Sequence, residues 1–303
     1  MRDEPRVWRL GVGRELPLDV ARVMGIVNVT PDSFSDGGEW ASVGDAVAAA
    51  ARMIEEGAEV IDVGGESTRP GAARVDAAEQ VRRVVPVISG IRSHPPTSVA
   101  HPGRGGGGGG GVIITVDTTL AEVAEAAIGA GADGINDVSA GMEDAGMFAL
   151  AAERGVGIVL MHRMLAPGAD VFSHQYAREP VYEGGVVECV KRFLGERAAA
   201  AMGAGIAREA IVLDPGLGFG KSVAQNLELI ERTGEIGELG FPVLSGLSRK
   251  SFTAVWGGMR MDAPARERVG ATVELSVRHL RAGARVFRVH DVREHVEALR
   301  DAE

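Results

Sequence analysis

Three observations predict an α/β protein of the (β/α)8 TIM-barrel class, built as a single domain over residues 1–303. Eight short apolar runs recur along the chain, and each stops at a polar or small residue. A segment of helical period follows each run. Four of the stops are carboxylates: Asp62 in VIDVGG, Asp117 in IITVDT, Asp137 in GINDVSAG and Asp214 in IVLDPGLGFG. An Asp closing a β-branched run is poor strand chemistry, so a job at the barrel rim explains it better than packing does. One such Asp could cap the next helix. Four of them, interleaved with helices, make a purely capping account the weaker one.

The strand-like runs fall at 23–28, 60–64, 113–117, 134–137, 158–161, 211–214, 243–246 and 286–290. Ala-rich helical segments follow, as at 42–57, 120–132 and 267–284. Parallel neighbours need such crossovers, and in a barrel the strand-to-helix loops build the site. The recurring helix-to-strand phrase Gly-Ala (EEGAEVID, GAGADGIND, RAGARVFRV) puts Gly at helix C-termini, where a left-handed residue is required. The segment at about 93–112 holds seven consecutive glycines, 105–111. It lacks the terminal Lys-Ser/Thr of a phosphate-binding loop and leads into a strand. We therefore read it as a flexible insertion, without chemistry, on the face opposite the active site.

Composition narrows the class further. The net charge of -10, from 32 basic and 42 acidic residues, argues against nucleic-acid and membrane-surface partners. Anionic small molecules would then need a local positive site. The one cysteine, Cys189, excludes an internal disulfide and reads as a buried helical thiol. The N-terminus has no apolar signal core, and no run of 18 uncharged apolar residues occurs. A cytoplasmic, soluble protein is the expectation.

The loop after the first run, from Asn28 to Gly38, carries an exposed-looking aromatic, Phe34, and reads as a lid or binding loop. The next, from Gly64 to Gly71, includes Arg69, which suits an anion or a ring edge. In the loop 214–221, Asp214 reads as a buried acceptor and the glycines as room for a flat ring. The loop 245–251 offers two adjacent cations, Arg249 and Lys250, where barrels commonly hold phosphate. Arg288 and His290 alternate on the last strand and share one face. Asp117 and Asn136 end adjacent strands as a facing acceptor and amide, a pair that can read a heterocycle edge or simply brace itself. There is no HExxH and no Cys pair, and His162, His279 and His295 read as solvated-face or rim residues as readily as ligands. An oxygen ligand such as Asn28, together with a ligand phosphate, would suit Mg2+.

At these residues the chain resembles the bacterial dihydropteroate synthases. MGIVNVTPDSFSDGG (24–38), VIDVGGESTRPGA (60–72), VDT (116–118), INDVSAG (135–141), LMH (160–162), LDPGLGFGK (213–221), GLSRKSF (246–252) and RVHDV (288–292) fall in the family's order. The resemblance implies a pterin-binding barrel that joins 6-hydroxymethyl-7,8-dihydropterin pyrophosphate to p-aminobenzoate with Mg2+, as a homodimer. Carried over, it implies that Asp117, Asn136, Asp214 and Lys250 grip the pterin. Asn28, Arg288 and His290 would hold the pyrophosphate, with Asn28 also near the metal. Thr68, Arg69, Pro70 and Ser251 would border the p-aminobenzoate site, closed by Phe34 and Asp36, and Phe219 would also bind substrate. Lys250, Asp36, Arg288 and His290 would carry the chemistry, Asp36 facing a pterin methylene cation. Thr119-Leu120, Arg163-Met164 and Gln225 depart from the commonest family versions and flank the site. Two rivals remain at this level. One is a pterin-binding paralogue without synthase activity. The other is a methyltetrahydrofolate-dependent corrinoid methyltransferase, against which Arg288, His290 and the SRKS segment speak.

Overall fold

The computed structural model describes residues 7–11, 13–30, 43–93, 111–260 and 263–303. Phe34, Asp36 and most of the glycine run lie outside them. Eight parallel strands form the barrel wall: β3 (Arg22–Asn28), β4 (Val60–Gly64), β5 (Ile113–Asp117), β6 (Gly134–Asp137), β7 (Gly157–Met161), β8 (Ile211–Asp214), β9 (Leu244–Ser245) and β10 (Val286–Val289). Their order is β8-β7-β6-β5-β4-β3-β10-β9. The seam between the two ends is closed by a single parallel bridge, Leu213 to Val243, with the Leu213 N–H donating to the Pro242 carbonyl at 2.9 Å. β9 is shorter than the run 243–246 because Val243 serves that seam, while only Leu244 and Ser245 pair with β10.

The helices α1 (Val43–Glu55), α2 (Ala77–Ser93), α3 (Ala121–Gly129), α4 (Met147–Arg154), α5 (Val186–Gly203), α6 (Val223–Glu231), α7 (Thr233–Gly237), α8 (Ser251–Trp256), α9 (Val269–Arg281) and α10 (Val292–Ala302) flank the strands. Among the described residues, β8 and β9 are each followed by two helices, where the periodicity predicted one. Residues pointing outward from the wall, such as Val23, Ile61, Ile114 and Ile135, pack with Ala46, Ala50, Val84 and Ile88 from the helices. Period-two alternation turns the next residues inward. There Met24, Val60, Val159, Val212, Leu244 and Val286 form a separate apolar layer.

That inner layer has a floor the sequence reading did not anticipate. An antiparallel hairpin, β1 (Val7–Leu10) and β2 (Arg14–Pro17), sends Trp8, Leu10 and Leu16 into it. The Trp8 indole N–H donates to the Ala210 carbonyl at 3.0 Å, at the start of β8. Val7-Trp8-Arg9-Leu10 does alternate, and Gly13 takes the positive φ of 74° that a tight turn needs. The flanks of the glycine-rich segment, Ser93 at the end of α2 and Gly111 before β5, lie at this same N-terminal end of the strands. No helix among the described residues is long and apolar enough to cross a membrane.

Three histidines depart from the solvated-face alternative, while His162, directly after β7, does stand at the rim. His162 is 6% exposed, and His279 and His295 are 0% exposed. None sits on a solvated face. His279 bonds Ser245 Oγ through Nδ1 at 2.9 Å, and burial holds its pKa down to about 3. Its ring therefore stays neutral in the folded chain while the unfolded chain takes up a proton near pH 6.5. Acidification from pH 7.5 to 5.5 is expected to remove about 1 kcal/mol of stability through this residue. Urea unfolding at the two pH values checks this, and His279→Leu should lose less stability on acidification than the parent. Cys189, expected to be buried, is half-buried on α5.

Candidate active site

Along the strands the inward layer above the apolar one is polar. Asp62, on β4, is completely buried and accepts from Thr115 Oγ1 at 2.6 Å and Asn136 Nδ2 at 3.0 Å. Arg288, on β10, donates through Nε to Asp62 at 2.6 Å and through Nη2 to Asp117 at 2.7 Å. One guanidinium thus spans two buried carboxylates, a geometry only Arg can supply. Burial pushes the Asp117 pKa above the usual carboxylate range, with Arg288 pulling the other way. Asn136 and Asp117 stand side by side in the ladder but do not brace each other, the second of the two alternatives: each is taken by a different partner. The Asn136 Oδ1 is buried without a hydrogen-bond partner among the described residues. Asp214 accepts from the Gly216 N–H at 2.7 Å, and burial raises its pKa. Asp137 has no such place. It accepts from the Ser139 N–H and hydroxyl at 2.8 and 2.7 Å and shapes its own turn, so the rim role expected of this Asp is not met.

Over this layer opens a cavity of about 520 Å³ at the C-terminal ends of the strands. Asn28, Thr68, Arg69, Pro70, Phe219, Lys250, Ser251, Arg288 and His290 all line it. These come from five separate strand-to-helix connections and strand ends, which the barrel brings together. Asp117, Asn136 and Asp214 are 4%, 2% and 5% exposed and adjoin the cavity through Arg288 and Lys250. Among its described lining residues there are four arginines and one lysine, and no Asp or Glu. In a chain of net charge -10, that gathers cationic side chains at one opening, with Arg249 paired to Asp291 and Arg288 to Asp62 and Asp117.

The expected cation pair divides. Arg249 adopts a left-handed φ of 58°, which sends successive side chains apart. Its guanidinium forks onto Asp291, Nε at 3.0 Å and Nη2 at 2.5 Å, so its charge is already neutralised. Lys250 turns the other way. Its Nζ donates to the Leu217 carbonyl and stands 4.2 Å from the Phe219 ring centroid. Burial lowers its pKa to about 7, against the pull of Asp214. His290 shares a 3.1 Å contact with Ser248 Oγ through Nδ1, and burial beside Arg249 and Arg288 holds it near 3, hence neutral.

The glycines of 214–221 make room for neighbouring protein, and Gly218 also lines the cavity. A Cβ on Gly216 would stand 1.8 Å from the His162 carbonyl oxygen, and one on Gly218 would stand 2.6 Å from Lys250 Cδ. Both residues have positive φ, 67° and 81°. The loop wraps Lys221, which is 0% exposed and donates to the carbonyls of Gly216 and Phe219 at 2.9 and 2.8 Å. It also meets His162 Nδ1 at 3.0 Å.

Several residues at the site had no ligand or partner assigned in the sequence reading: Asp62, Thr115, Ser248 and the segment 172–175. Asp62 had already stood out as a strand-ending carboxylate, and the connection 162–185 is long enough to have drawn notice. The departures also find partners. Thr119 and Arg163 both bond Glu143, which Arg74 joins at 2.9 Å. Gln225 completes a capping box with Ser222 at the start of α6.

Fold and site together define an α/β-barrel enzyme whose cavity suits a flat, hydrogen-bonding, anionic ligand. A family model described as pterin binding enzyme matches residues 24–290. The chain is 45% identical over 274 residues to a dihydropteroate synthase of Streptococcus pyogenes serotype M3, covering 90% of this chain and 91% of the relative. It is 40% identical over 291 residues to that of Escherichia coli K12, covering 96% and 94%. A solved Xanthomonas albilineans dihydropteroate synthase with 4-aminobenzoic acid has a TM-score of 0.82 at 42% identity, over 98% of this chain and 97% of that one. The same organism's enzyme in complex with 7,8-dihydropteroate gives 0.78 at 40% identity over 95% of each chain. The chain therefore belongs to the pterin-binding enzyme family, in its dihydropteroate synthase branch.

Proposed function

We infer that the protein is a transferase of folate biosynthesis that condenses 6-hydroxymethyl-7,8-dihydropterin pyrophosphate with p-aminobenzoate to 7,8-dihydropteroate and pyrophosphate. The observation that carries this reading is the cationic, carboxylate-free wall set over a buried layer of Asp62, Asp117, Asn136 and Asp214. Carboxylates and an unpartnered amide oxygen accept the N–H groups of a pterin edge, and the cations meet its pyrophosphate.

In the reaction the bond between the pterin methylene carbon and the pyrophosphate oxygen breaks, and the electron pair leaves on that oxygen. The arylamine nitrogen forms the new C–N bond and gives up one proton. Arg288 and His290 hold the departing group and Lys250 opposes its growing charge, acting where charge develops. A phosphate arriving beside Lys250 also favours its charged form. Asp214, Asn136 and Asp117 orient the ring, and Thr68, Arg69, Pro70, Phe219 and Ser251 border the arylamine.

Mg2+ fits this donor set. Asn28 brings an amide to the cavity, and no three His, Cys, Asp or Glu side chains converge among the described residues. The ion would then take most of its oxygen ligands from pyrophosphate and water, as Mg2+ commonly does. When bound it supplies neutralisation of phosphate charge. The reading includes Asp36 and Phe34 as first-loop contributors, a homodimer with α9 at its contact, and a cytoplasmic location.

Release of pyrophosphate and formation of dihydropteroate by the purified protein, given both substrates and Mg2+, test the reading. Tight pterin binding with no product would instead identify a non-catalytic paralogue.

A further inference from the structure

The connection 162–185 between β7 and α5 takes no part in the reaction described above, yet it is fastened on both sides of the cavity. Toward the loop after β8, the Gly220 N–H donates to Asp170 at 2.8 Å. The Tyr182 hydroxyl donates to the Gly220 carbonyl at 2.8 Å, and Asn226 Nδ2 donates to Ser173 Oγ at 3.1 Å. Toward the loop after β4, the Gly71 N–H donates to the Pro167 carbonyl at 2.9 Å. The first of these neighbours carries Phe219 and the second carries Arg69 and Pro70. Residues 172–175, held between them, line the same cavity.

What this segment presents is chemically particular. The Phe172 and His174 rings are stacked, with centroids 6.0 Å apart and planes 12° from parallel. Phe172 keeps 37% of its surface exposed. His174 Nδ1 is buried and has no hydrogen-bond partner among the described residues. Arg69, on the neighbouring loop, lines the same opening, and no ion pair to it occurs among the described residues. An apolar ring face, the imidazole stacked on it and a guanidinium around one opening suit a flat aromatic acid.

Resting on the functional reading above, we propose that Phe172 and His174 form a further wall of the arylamine subsite and determine its specificity. The Phe172 face packs the benzoate ring, and a ring N–H of His174 reads the carboxylate together with Arg69. The preference is set by a segment anchored before substrate arrives, which limits the ordering cost of binding.

Steady-state kinetics of the intact protein with p-aminobenzoate and pterin pyrophosphate test this. Phe172→Ala should raise KM for p-aminobenzoate about threefold to tenfold, the scale of one aromatic contact. His174→Phe keeps the stack and removes the nitrogens, and should raise the same KM by about threefold to tenfold. His174→Gln should recover part of that loss. In each, kcat and KM for pterin pyrophosphate stay within about twofold of the parent. Val181→Ser, on the same connection but 86% exposed and away from the cavity, should match the parent. Unchanged p-aminobenzoate KM in both Phe172→Ala and His174→Phe, with full turnover, overturns the proposal alone. A fall in kcat with both KM values raised and a lower Tm also overturns it, because the segment then only supports the fold. A parent protein that makes no dihydropteroate overturns the functional reading and this one with it.

Discussion

Arg288→Ala is expected to lose about 3–5 kcal/mol of folding stability and nearly all turnover. The residue neutralises Asp62, completely buried, and Asp117, 4% exposed. Removing one partner of a buried ionic cluster leaves charge without compensation, which is far more costly than the intact cluster is worth. Arg288→Lys should recover part of the stability, since one ammonium keeps the charge but cannot fork onto two carboxylates. The pH dependence gives a second readout. A carboxyl whose folded pKa lies above its unfolded value stabilises the fold below the unfolded pKa and loses that contribution as pH rises through the folded one. Asp117 is raised by burial, and without Arg288 nothing opposes the rise. The deficit of Arg288→Ala should therefore shrink between pH 7.5 and 5.5. Urea unfolding of parent and variants at both pH values decides the matter. Equal stability of Arg288→Ala and parent at pH 7.5 would refute the bridging role.

Lys250→Ala should lower kcat/KM by roughly 30-fold to 1000-fold, about 2–4 kcal/mol of transition-state stabilisation, while Tm moves little. Its ammonium contacts one carbonyl and one ring face, and much of what those contacts contribute is offset by the desolvation that depresses its pKa. Lys221→Ala should show the opposite balance. Without its Nζ the carbonyls of Gly216 and Phe219 lose their donor, at a cost of about 1–3 kcal/mol for a buried group left unpaired. Catalysis should fall only as far as the loop that carries Phe219 loosens. Parallel measurement of kcat/KM and Tm separates the two lysines, and parent-like kinetics for Lys250→Ala would remove it from the proposed chemistry.

The two lysines show where reading the chain reaches its limit. Both follow a glycine- or serine-rich turn at a strand end, and nothing in their local sequence says that one is wrapped by its own loop while the other faces the cavity. The difference comes from Gly216 and Gly218, whose positive φ and absent Cβ let the backbone close on Lys221 and let Lys250 pass. Arg249 and Lys250 likewise read as one doubled cation. The left-handed Arg249 and the presence of Asp291 forty-two positions along split them.

The sequence by itself determined the barrel, most strand bounds to within a residue and part of the cavity lining, among it Asn28, Arg69, Lys250, Arg288 and His290, because alternation, helical period and strand-ending polar groups are local signals. Only the tertiary structure decided how Asp62, Arg288, Asp117 and Asn136 divide their bonds, since those contacts join strands up to 226 positions apart. The same holds for the N-terminal hairpin that closes the barrel floor and for the segment 172–175 that reaches the cavity from a connection with no periodic pattern. Local pattern specifies which face of an element is buried; which partner a buried polar group finds there depends on packing and desolvation set by the whole fold.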